Sequence, residues 1–353
     1  MKLSVERDLL ADLVNRAKNV SRNGSIQVEA TTNNELIVTV GGPYASLVQS
    51  CEANVTTEGE VVLHTPTFND ILSRTSGTQL EIEADEDQVE IRGNVAAFNI
   101  GTVKQPPPTP FEMPAGEGLV IETDQLFSAI KTAATATATG SSNAALNGVN
   151  IAPTPEGLRI VATDQFGLVS ISLPDQLVFS GSVTIPQEVC SQASTILNGE
   201  DKVVLHLTDK QIFFESDTKQ LRAQLISEPF PRIDPLLNVG GKHATFDTTD
   251  FEEVVKAVGI APKATFTFTP ISATEANCIV TGRLLETAVT AQAVVGWDGG
   301  DMEISFLLAQ LTAAQKFMAD TEQVKLQIAA PLKPVMVQSE QKPDTLYVMS
   351  PTR

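Results

Sequence analysis

The chain repeats one plan of secondary structure three times, and this repetition restricts the fold more than any other feature. Each third opens with a short strand that runs into an apolar helix with an acidic start. These segments are KLSVERDLLADLVNRAKNV (2–20), LVIETDQLFSAIKTAATATA (119–138) and ATFDTTDFEEVVKAVGIA (244–261). A pattern that recurs at a near-constant spacing predicts one structural unit used three times.

The rest of each third also follows one plan, a second helix and then a strand hairpin. The helices are predicted within residues 65–76, 185–199 and 305–320. The strands after them alternate apolar and polar residues, which indicates sheets with one solvated face.

The apolar positions of the first helices relate the three repeats to one another. We align Leu9 and Leu13 of the first helix with Leu126 and Ile130 of the second, and with Phe251 and Val255 of the third. The alignment treats these as equivalent positions on the apolar faces of the helices.

Two proline-rich segments, residues 104–118 and 227–241, separate the thirds. Proline favours stiff, extended connections, so both segments are interpreted as linkers that fix domain orientation. A proline-rich recognition motif is the alternative. The sequence predicts an α+β protein of three similar domains, at residues 1–113, 118–232 and 240–353.

The sequence contains none of the common catalytic motifs, such as HExxH, GxxxxGK[ST] or GxGxxG. The three cysteines, Cys51, Cys190 and Cys278, fit no metal-binding spacing and are expected to be reduced, mostly buried thiols. We therefore expect no cofactor, no metal and no active site. A hydrolase with scattered carboxylates and a β-rich phage structural protein without a DNA role remain as alternatives.

The first residues, MKLSVERDLLADL, place charges where a signal peptide needs an apolar stretch. The sequence also lacks a run of about 18 apolar residues, which a membrane-spanning helix would need. The protein is therefore expected in the cytoplasm.

The net charge of −19 argues against DNA binding by a broad basic surface. The predicted helices are nearly neutral, however, so most of the acidic excess lies in the sheets and loops. One explanation without functional meaning is that acidic residues simply prefer the starts of helices. Alternatively, the helices face a polyanion while the outer surface repels it, which gives weak, salt-sensitive contacts.

Four short segments stand out along the chain. They are the start MKLSVERDLL, the stretch from Leu146 to Pro174 with its ATD triplet, the joint SEPFPRIDPLL and the end LYVMSPTR. In this order and at this spacing they resemble the bacterial DNA polymerase III beta subunit, the processivity clamp, over essentially the whole chain.

The resemblance implies a divergent clamp of which two copies close head to tail into a ring, with helices lining the hole and antiparallel sheets outside. Such a homodimer encircles double-stranded DNA without reading its sequence and is not itself an enzyme. It would tether the replicative DNA polymerase, the clamp loader and other replication and repair proteins through a peptide cleft, in the cytoplasm at the nucleoid.

Several residues depart from the family pattern. Phe166 and Gly167 stand where the family usually has histidine and arginine, and Pro66 and Thr67 stand where a basic pair is expected. The tail from Met349 to Arg353 also differs from the common Met-Pro-Met-Arg. Because Phe166 and Gly167 stand in place of a polar, basic pair, we expect a groove that is more apolar than the family norm.

The peptide cleft is expected to be an apolar groove that accepts leucine and aromatic anchors of a linear motif. Ordinary core or interdomain packing is the alternative for each of its residues. The cleft is assigned to Leu146, Thr163, Phe166, Leu168, Pro231, Leu236, Val348, Met349, Pro351 and Arg353.

Unspecific phosphate contacts are assigned to Arg22, Arg74, Lys131, Lys256 and Lys316. Each of them alone is more often a solvated surface charge. The segment at residues 134–143 is expected to be a solvated loop that could also approach DNA.

The strand from Ala97 to Ile100 contains neither Pro nor Lys, so as an edge strand it would be prone to aggregate unless it were paired. We expect it to pair with a strand of the third domain of a second copy. The predicted dimer interface contains Phe98, Ile100 and Ile260.

Overall fold

The computed structural model describes residues 1–108, 111–116, 118–174, 181–237 and 240–353. Parts of both predicted linkers, residues 109, 110, 117, 238 and 239, therefore lie outside the described residues.

The described part of the chain contains seven α-helices and twenty-five strands. The helices are α1 (Arg7–Val20), α2 (Thr65–Arg74), α3 (Thr123–Ala134), α4 (Gln187–Ile196), α5 (Asp234–Leu237), α6 (Thr248–Ala257) and α7 (Leu308–Met318), with 3-10 turns at Ala144–Asn147 and Val258–Ile260. The strands of the first third are β1 (Lys2–Glu6), β2 (Ser25–Ala30), β3 (Glu35–Gly41), β4 (Ala45–Glu52), β5 (Asn54–Thr57), β6 (Gly59–His64), β7 (Gln79–Ala84), β8 (Gln88–Arg92) and β9 (Ala97–Gly101). Those of the second third are β10 (Leu119–Glu122), β11 (Gly148–Thr154), β12 (Gly157–Thr163), β13 (Gly167–Pro174), β14 (Val183–Pro186), β15 (Lys202–Leu207), β16 (Gln211–Glu215) and β17 (Lys219–Gln224). Those of the last third are β18 (Lys242–Asp247), β19 (Lys263–Pro270), β20 (Glu275–Leu284), β21 (Thr287–Trp297), β22 (Met302–Leu307), β23 (Gln323–Ile328), β24 (Val335–Gln338) and β25 (Thr345–Met349).

All six predicted helices are present, each 10 to 14 residues long. The α+β class is therefore confirmed, and the β-rich alternative is not favoured. The short helix α5, inside the second linker, was not predicted. Among the described residues, no helix is both long enough and apolar enough to cross a membrane.

The alignment that placed Leu9 opposite Leu126 and Phe251 is wrong by one residue. Leu9 is 44% exposed, whereas Leu10 is fully buried. Leu10 is the fourth residue of α1, as Leu126 is of α3 and Phe251 is of α6. By the same count, Leu13 is replaced by its neighbour Val14 as the residue equivalent to Ile130 and Val255.

The chain forms two compact units. Unit 1 consists of Met1–Lys131 and Ile185–Ser227, and unit 2 consists of Thr132–Thr184 and Glu228–Arg353. The division into domains 1–113, 118–232 and 240–353 stays a prediction.

Unit 1 contains two antiparallel sheets. One has the strand order β5-β1-β7-β8-β9, and the other has the order β10-β15-β16-β17-β4-β3-β2-β6. The helix α1 packs against α2 and α4 and against the strands β3 and β4.

Eleven described strands that lie wholly in unit 2 form one antiparallel sheet, in the order β11-β12-β13-β25-β24-β23-β18-β21-β20-β19-β22. The helices α6 and α7 pack on one face of this sheet. The Phe251 ring of α6 lies 5.5 Å from that of Phe246, and the Phe317 ring of α7 lies 5.9 Å from that of Tyr347. The opposite face carries the site described below.

The strand registers identify equivalent positions in the three repeats. Four residues before the first helix of each repeat, the chain pairs with the hairpin that follows the second helix, at Leu3–Ile82, Leu119–Leu205 and Ala244–Leu326. The last strands of the three repeats, β9, β17 and β25, are therefore equivalent, and so are β4, β13 and β21.

Each of two equivalent junctions joins the last strand of one repeat to the repeat before it. In the first seam β17 pairs with β4, and in the second seam β25 pairs with β13. Both seams are antiparallel and lie within unit 1 and unit 2, respectively.

Candidate peptide-binding site

A row of four side chains crosses the second seam on the sheet face opposite α7. Thr163 on β12 lies opposite Leu168 on β13, Leu168 lies opposite Val348 on β25, and Val348 lies opposite Met336 on β24. Val161 is two residues from Thr163 and therefore shares its face. Leu168, Val348, Met336 and Val161 are each at most 7% exposed and form one apolar cluster.

The second linker lies against this cluster. Ile233 is 6% exposed and belongs to the cluster, while Phe230, Leu236 and Leu237 pack against it and stay only partly buried. The site thus combines a buried apolar floor with partly exposed apolar side chains at its border. An exposed apolar surface of this kind is suited to bury the leucine and aromatic side chains of a peptide.

An ion pair holds the start of α5 to the sheet. Arg159 lies on the same face of β12 as Val161, and its guanidinium Nη2 lies 3.0 Å from Oδ1 of Asp234, the first residue of α5. The carboxylate is 69% exposed, so the pair contributes little to stability and serves mainly to orient the linker.

The turn between β12 and β13 forms one end of the site. The Asp164 carboxylate accepts the backbone N–H groups of Phe166 at 2.9 Å and Gly167 at 2.7 Å, and the Thr163 hydroxyl donates to the Gly167 carbonyl at 2.7 Å. Gln165 has a φ of 81°, which non-glycine residues rarely adopt. These bonds fix the backbone of the turn that leads into Leu168 of the floor, and the Phe166 side chain on this turn is 58% exposed.

Gly167 does not line the groove, contrary to the prediction that Phe166 and Gly167 together make it more apolar. Its position faces the helices, and a Cβ there would lie 2.6 Å from the Tyr347 hydroxyl oxygen. Burial, with the nearby Asp164 carboxylate, raises the pKa of Tyr347 well above its ordinary value. The neutral tyrosine therefore fills the space of a side chain at position 167, and only Phe166 changes the groove surface.

The structure brings some of the assigned cleft residues together and separates others. Leu168 and Val348 belong to the floor, Leu236 packs on it, and Thr163 and Phe166 lie at its end. Met349 is fully buried on the opposite face with Tyr347, and Leu146 is buried in the turn Ala144–Asn147, so neither belongs to the cluster. Both are corrections to the assignment.

The remaining assigned residues lie beside the site. Pro231 is exposed in the linker next to Phe230, and Pro351 is half-buried in the tail. Arg353 is exposed, and its carbonyl accepts a bond from Lys263 Nζ at 2.6 Å. The tail that carries Pro351 and Arg353 meets the turn between β12 and β13, because the Ser350 N–H donates to the Phe166 carbonyl at 2.9 Å.

Val161, Ile233 and Met336 were not among the predicted cleft residues, although all three belong to the floor. The alternation of β12 was a usable signal for Val161, since it lies two residues before Thr163 on the same strand. Met336 joins the site only through the pairing of β24 with β25, which no local pattern predicts.

The equivalent row in unit 1 has a polar pair at its centre and is covered by the first linker. It consists of Gly41, Ser46, Arg222 and Phe213 on neighbouring strands of the first seam. Phe111 of the first linker lies over it, with its ring 6.1 Å from that of Phe213 and 4.9 Å from the Arg222 guanidinium, which in turn donates to the Ser46 hydroxyl at 2.9 Å. Of the two seams, the second has the apolar row with the partly exposed border.

The five basic residues assigned to DNA are all exposed. Arg74 pairs with Asp70 at 3.0 Å on its own helix. Arg74, Lys131, Lys256 and Lys316 lie in the last turns of α2, α3, α6 and α7, where a cation also stabilises the helix dipole. The six long helices carry seven basic and eight acidic side chains, so they contribute almost nothing to the net charge of −19.

The residues of the predicted interface differ in exposure. β9 is an edge strand and, in the described chain, pairs with β8 alone. Phe98 is half-buried and Ile260 is 47% exposed. Ile100 is only 6% exposed, so its side chain supports the domain core and is not a contact surface, which corrects its assignment.

The loop assigned to residues 134–143 is tied at its end to the 3-10 turn that follows it. The Asn147 side chain accepts from the Ser141 N–H at 2.9 Å and donates to the Ser141 carbonyl at 3.0 Å. Residues 141–147 therefore form a hydrogen-bonded turn at the end of the loop.

Comparison with known proteins agrees with this geometry. Residues 120–232 match the family model described as DNA polymerase III beta subunit, central domain. The chain is 22% identical over 308 residues to the beta sliding clamp of Bacillus subtilis (strain 168), a match that covers 84% of this chain and 80% of that protein. It is 24% identical over 277 residues to the beta sliding clamp of Micrococcus luteus, covering 74% and 88% of the two chains.

The fold is that of solved clamp structures. The DNA polymerase III subunit beta from Pseudomonas aeruginosa superimposes with a TM-score of 0.92 at 20% sequence identity, over 100% of both chains.

Proposed function

Because this chain is a divergent member of the bacterial DNA polymerase III beta subunit family, we propose that it is a sliding clamp. Two copies close into a ring around double-stranded DNA, and the site on unit 2 tethers the replicative polymerase. The observation that carries the proposal is the repeated seam, since the same strand pairing occurs twice in the chain and its third instance lacks a partner.

The third seam requires a second copy. β9 is equivalent to β17 and β25, and β21 is equivalent to β4 and β13. The edge of β21 from Thr287 to Gln292 has no neighbour beyond β20 in the described chain, because β18 pairs only with its far end at Gly296 and Trp297. A β9 strand from one copy therefore fits the free edge of β21 in the other, and two such contacts related by a two-fold axis close a ring.

The two existing seams set the register of the third. Ala45 and Gly167 close equivalent turns, in which each accepts the N–H of the residue three positions earlier. They pair with Ala223 and Met349 of the strands β17 and β25.

The equivalent residues at the third seam are Thr287, which closes the β20–β21 turn, and Ile100 of the other copy. Two residues further along each strand, the half-buried side chains of Phe98 and Val289 face each other, at the places that the buried Leu221 and Leu47 occupy in the first seam.

The charge distribution fits a ring that holds DNA without binding it tightly. The helices, which the clamp architecture places toward the hole, are close to neutral, and Arg22, Arg74, Lys131, Lys256 and Lys316 supply exposed cations for phosphates. The acidic sheets and loops repel DNA elsewhere. Retention therefore depends on closure of the ring and not on sequence-specific contact.

The cleft on unit 2 gives the ring its partners. A short linear motif with a leucine and an aromatic anchor buries both side chains against the partly exposed border of the floor, at Leu236 and Leu237, with the exposed Phe166 ring at one end. Polymerases, the clamp loader and other replication and repair proteins share such motifs and compete for the cleft. The chain acts as an accessory subunit without cofactor or active site of its own, in the cytoplasm at the nucleoid.

A primer-extension assay on a long primed circle tests the function. With a cognate clamp loader and polymerase, the protein is expected to lengthen the products made per binding event. The variant Leu236→Ala, which removes an apolar side chain from the border of the cleft, is expected to shorten them. Product lengths that do not change when the protein is added would contradict the proposal.

A further inference from the structure

We propose that Gln310 is a positioning residue of the peptide site, which holds the exposed Phe166 ring in place from beneath. The inference rests on the proposed function, because it assigns a role in peptide binding to a side chain that does not face the groove.

Gln310 makes two bonds at the beginning of α7. Its Nε2 donates to the Phe166 carbonyl at 2.6 Å, and its Oε1 accepts the Leu307 N–H at 3.3 Å. The side chain is 5% exposed, so neither group is exchanged for water without cost. One buried amide thus links the helix start to the turn that carries Phe166.

The Phe166 carbonyl accepts two donors, the Gln310 amide and the Ser350 N–H at 2.9 Å. A carbonyl oxygen has two lone pairs, so both are used. The equivalent carbonyl of the first seam, that of Tyr44, accepts the Gln224 N–H at 2.9 Å and, within the described residues, no side-chain amide. The second donor is therefore a feature of the seam that carries the apolar site.

The turn has a specific need for this donor. Gln165 is held at a φ of 81°, a conformation that costs free energy and persists only where surrounding bonds enforce it. Phe166 is 58% exposed, so packing alone does not fix its ring. A ring that is already in place when a peptide arrives loses less conformational freedom on binding, which favours affinity.

The substitution Gln310→Glu separates the two bonds. A carboxylate still accepts the Leu307 N–H, but it cannot donate to the Phe166 carbonyl. Gln315→Glu is the matched control, because it introduces the same charge on α7 at a half-buried position. Both are made in the wild-type chain and in a Phe166→Trp chain, in which the new indole reports on the turn.

Two quantities are measured. The first is the dissociation constant of a fluorescent clamp-binding pentapeptide. The second is acrylamide quenching of the indole at position 166. The single native tryptophan, Trp297, is 2% exposed and stacks on Phe268 at 4.9 Å, so it is shielded from the quencher.

Gln310→Glu is expected to weaken peptide binding up to about tenfold, the scale of ordering one side chain on binding. It is also expected to raise the quenching constant of the indole, while Gln315→Glu changes neither. Wild-type affinity and quenching in Gln310→Glu would overturn the positioning role and leave the proposed function standing. A wild-type chain that binds no peptide would instead contradict the proposed function. Weaker binding with unchanged quenching would also overturn the proposal, because the loss would then not act through the turn.

Discussion

Cysteine pairs across the third seam test the register that the internal repeats dictate. Asn99 of one copy is expected to lie opposite Ala288 of the other, because the equivalent pairs are Arg222–Ser46 in the first seam and Val348–Leu168 in the second. The double variant Asn99→Cys with Ala288→Cys therefore places two thiols on directly opposed residues of an antiparallel pair.

The strand geometry gives the expected selectivity. Directly opposed Cα atoms lie about 4.5–5.5 Å apart, inside the range of about 4.4–6.8 Å that disulfides occupy. In the control Asn99→Cys with Thr290→Cys, one thiol moves two residues along the strand, or about 6.8 Å. The Cα separation then becomes roughly 8–9 Å, which exceeds the limit of about 7 Å for a disulfide.

The assay is mild oxidation followed by electrophoresis without reductant. The in-register pair is expected to give a species of twice the chain mass of 37.7 kDa, which reductant converts back to single chains. The parent chain controls for Cys51, Cys190 and Cys278, of which the last two are buried. Equal crosslinking of both pairs, or crosslinking of the control alone, would refute the register.

Three further predictions concern the peptide site, the dimer interface and the reactivity of two cysteines. Leu236→Ala is expected to weaken binding of a leucine- and aromatic-anchored pentapeptide by about 1–2 kcal/mol. The control Leu332→Ala, at a 60% exposed position outside the site, is expected to leave the affinity unchanged. Isothermal titration calorimetry measures both variants, and equal affinities would contradict the site assignment. Light scattering is expected to give a dimer for the wild type at micromolar concentration. The combined variant Phe98→Asp with Ile260→Asp is expected to be a monomer, because its dimer interface would bury unpaired carboxylates. A monomeric wild type would contradict the ring. Burial raises the pKa of the Cys51 thiol to about 11 and that of Cys278 to about 12, so both thiols are protonated at pH 8. The folded protein is therefore expected to react with a thiol reagent far more slowly than the chain in denaturant, with rates that rise as the pH approaches 11. Fast labelling of the folded protein at pH 8 would contradict this prediction.

The repeat plan and the six long helices could be predicted from sequence because each rests on local periodicity. The error at Leu9 arose because two adjacent leucines both fit an amphipathic pattern until the first helical residue is known. Leu10 fills the core only because α1 begins at Arg7.

The peptide site was predicted only in part, because its floor depends on pairing between distant strands. Leu168 and Val348 could be assigned from the family resemblance, whereas Met336 enters through β24 and Ile233 through the linker. The faces of Gly167 and Met349 depend on the strand parity of β13 and β25, in which a step of one residue moves a side chain to the other side of the sheet. The role of Gln310 required the three-dimensional meeting of α7 with the Phe166 turn.

Retention on circular and linear DNA tests the central claim most directly. The protein is loaded by a clamp loader onto a closed duplex circle, separated from free protein by gel filtration and then treated with an enzyme that cuts the circle once. A sliding clamp is expected to stay on the intact circle and to leave once the circle is cut, because its hold is topological and its acidic surface has little affinity for DNA ends. Equal retention on the intact and the cut DNA would contradict the account.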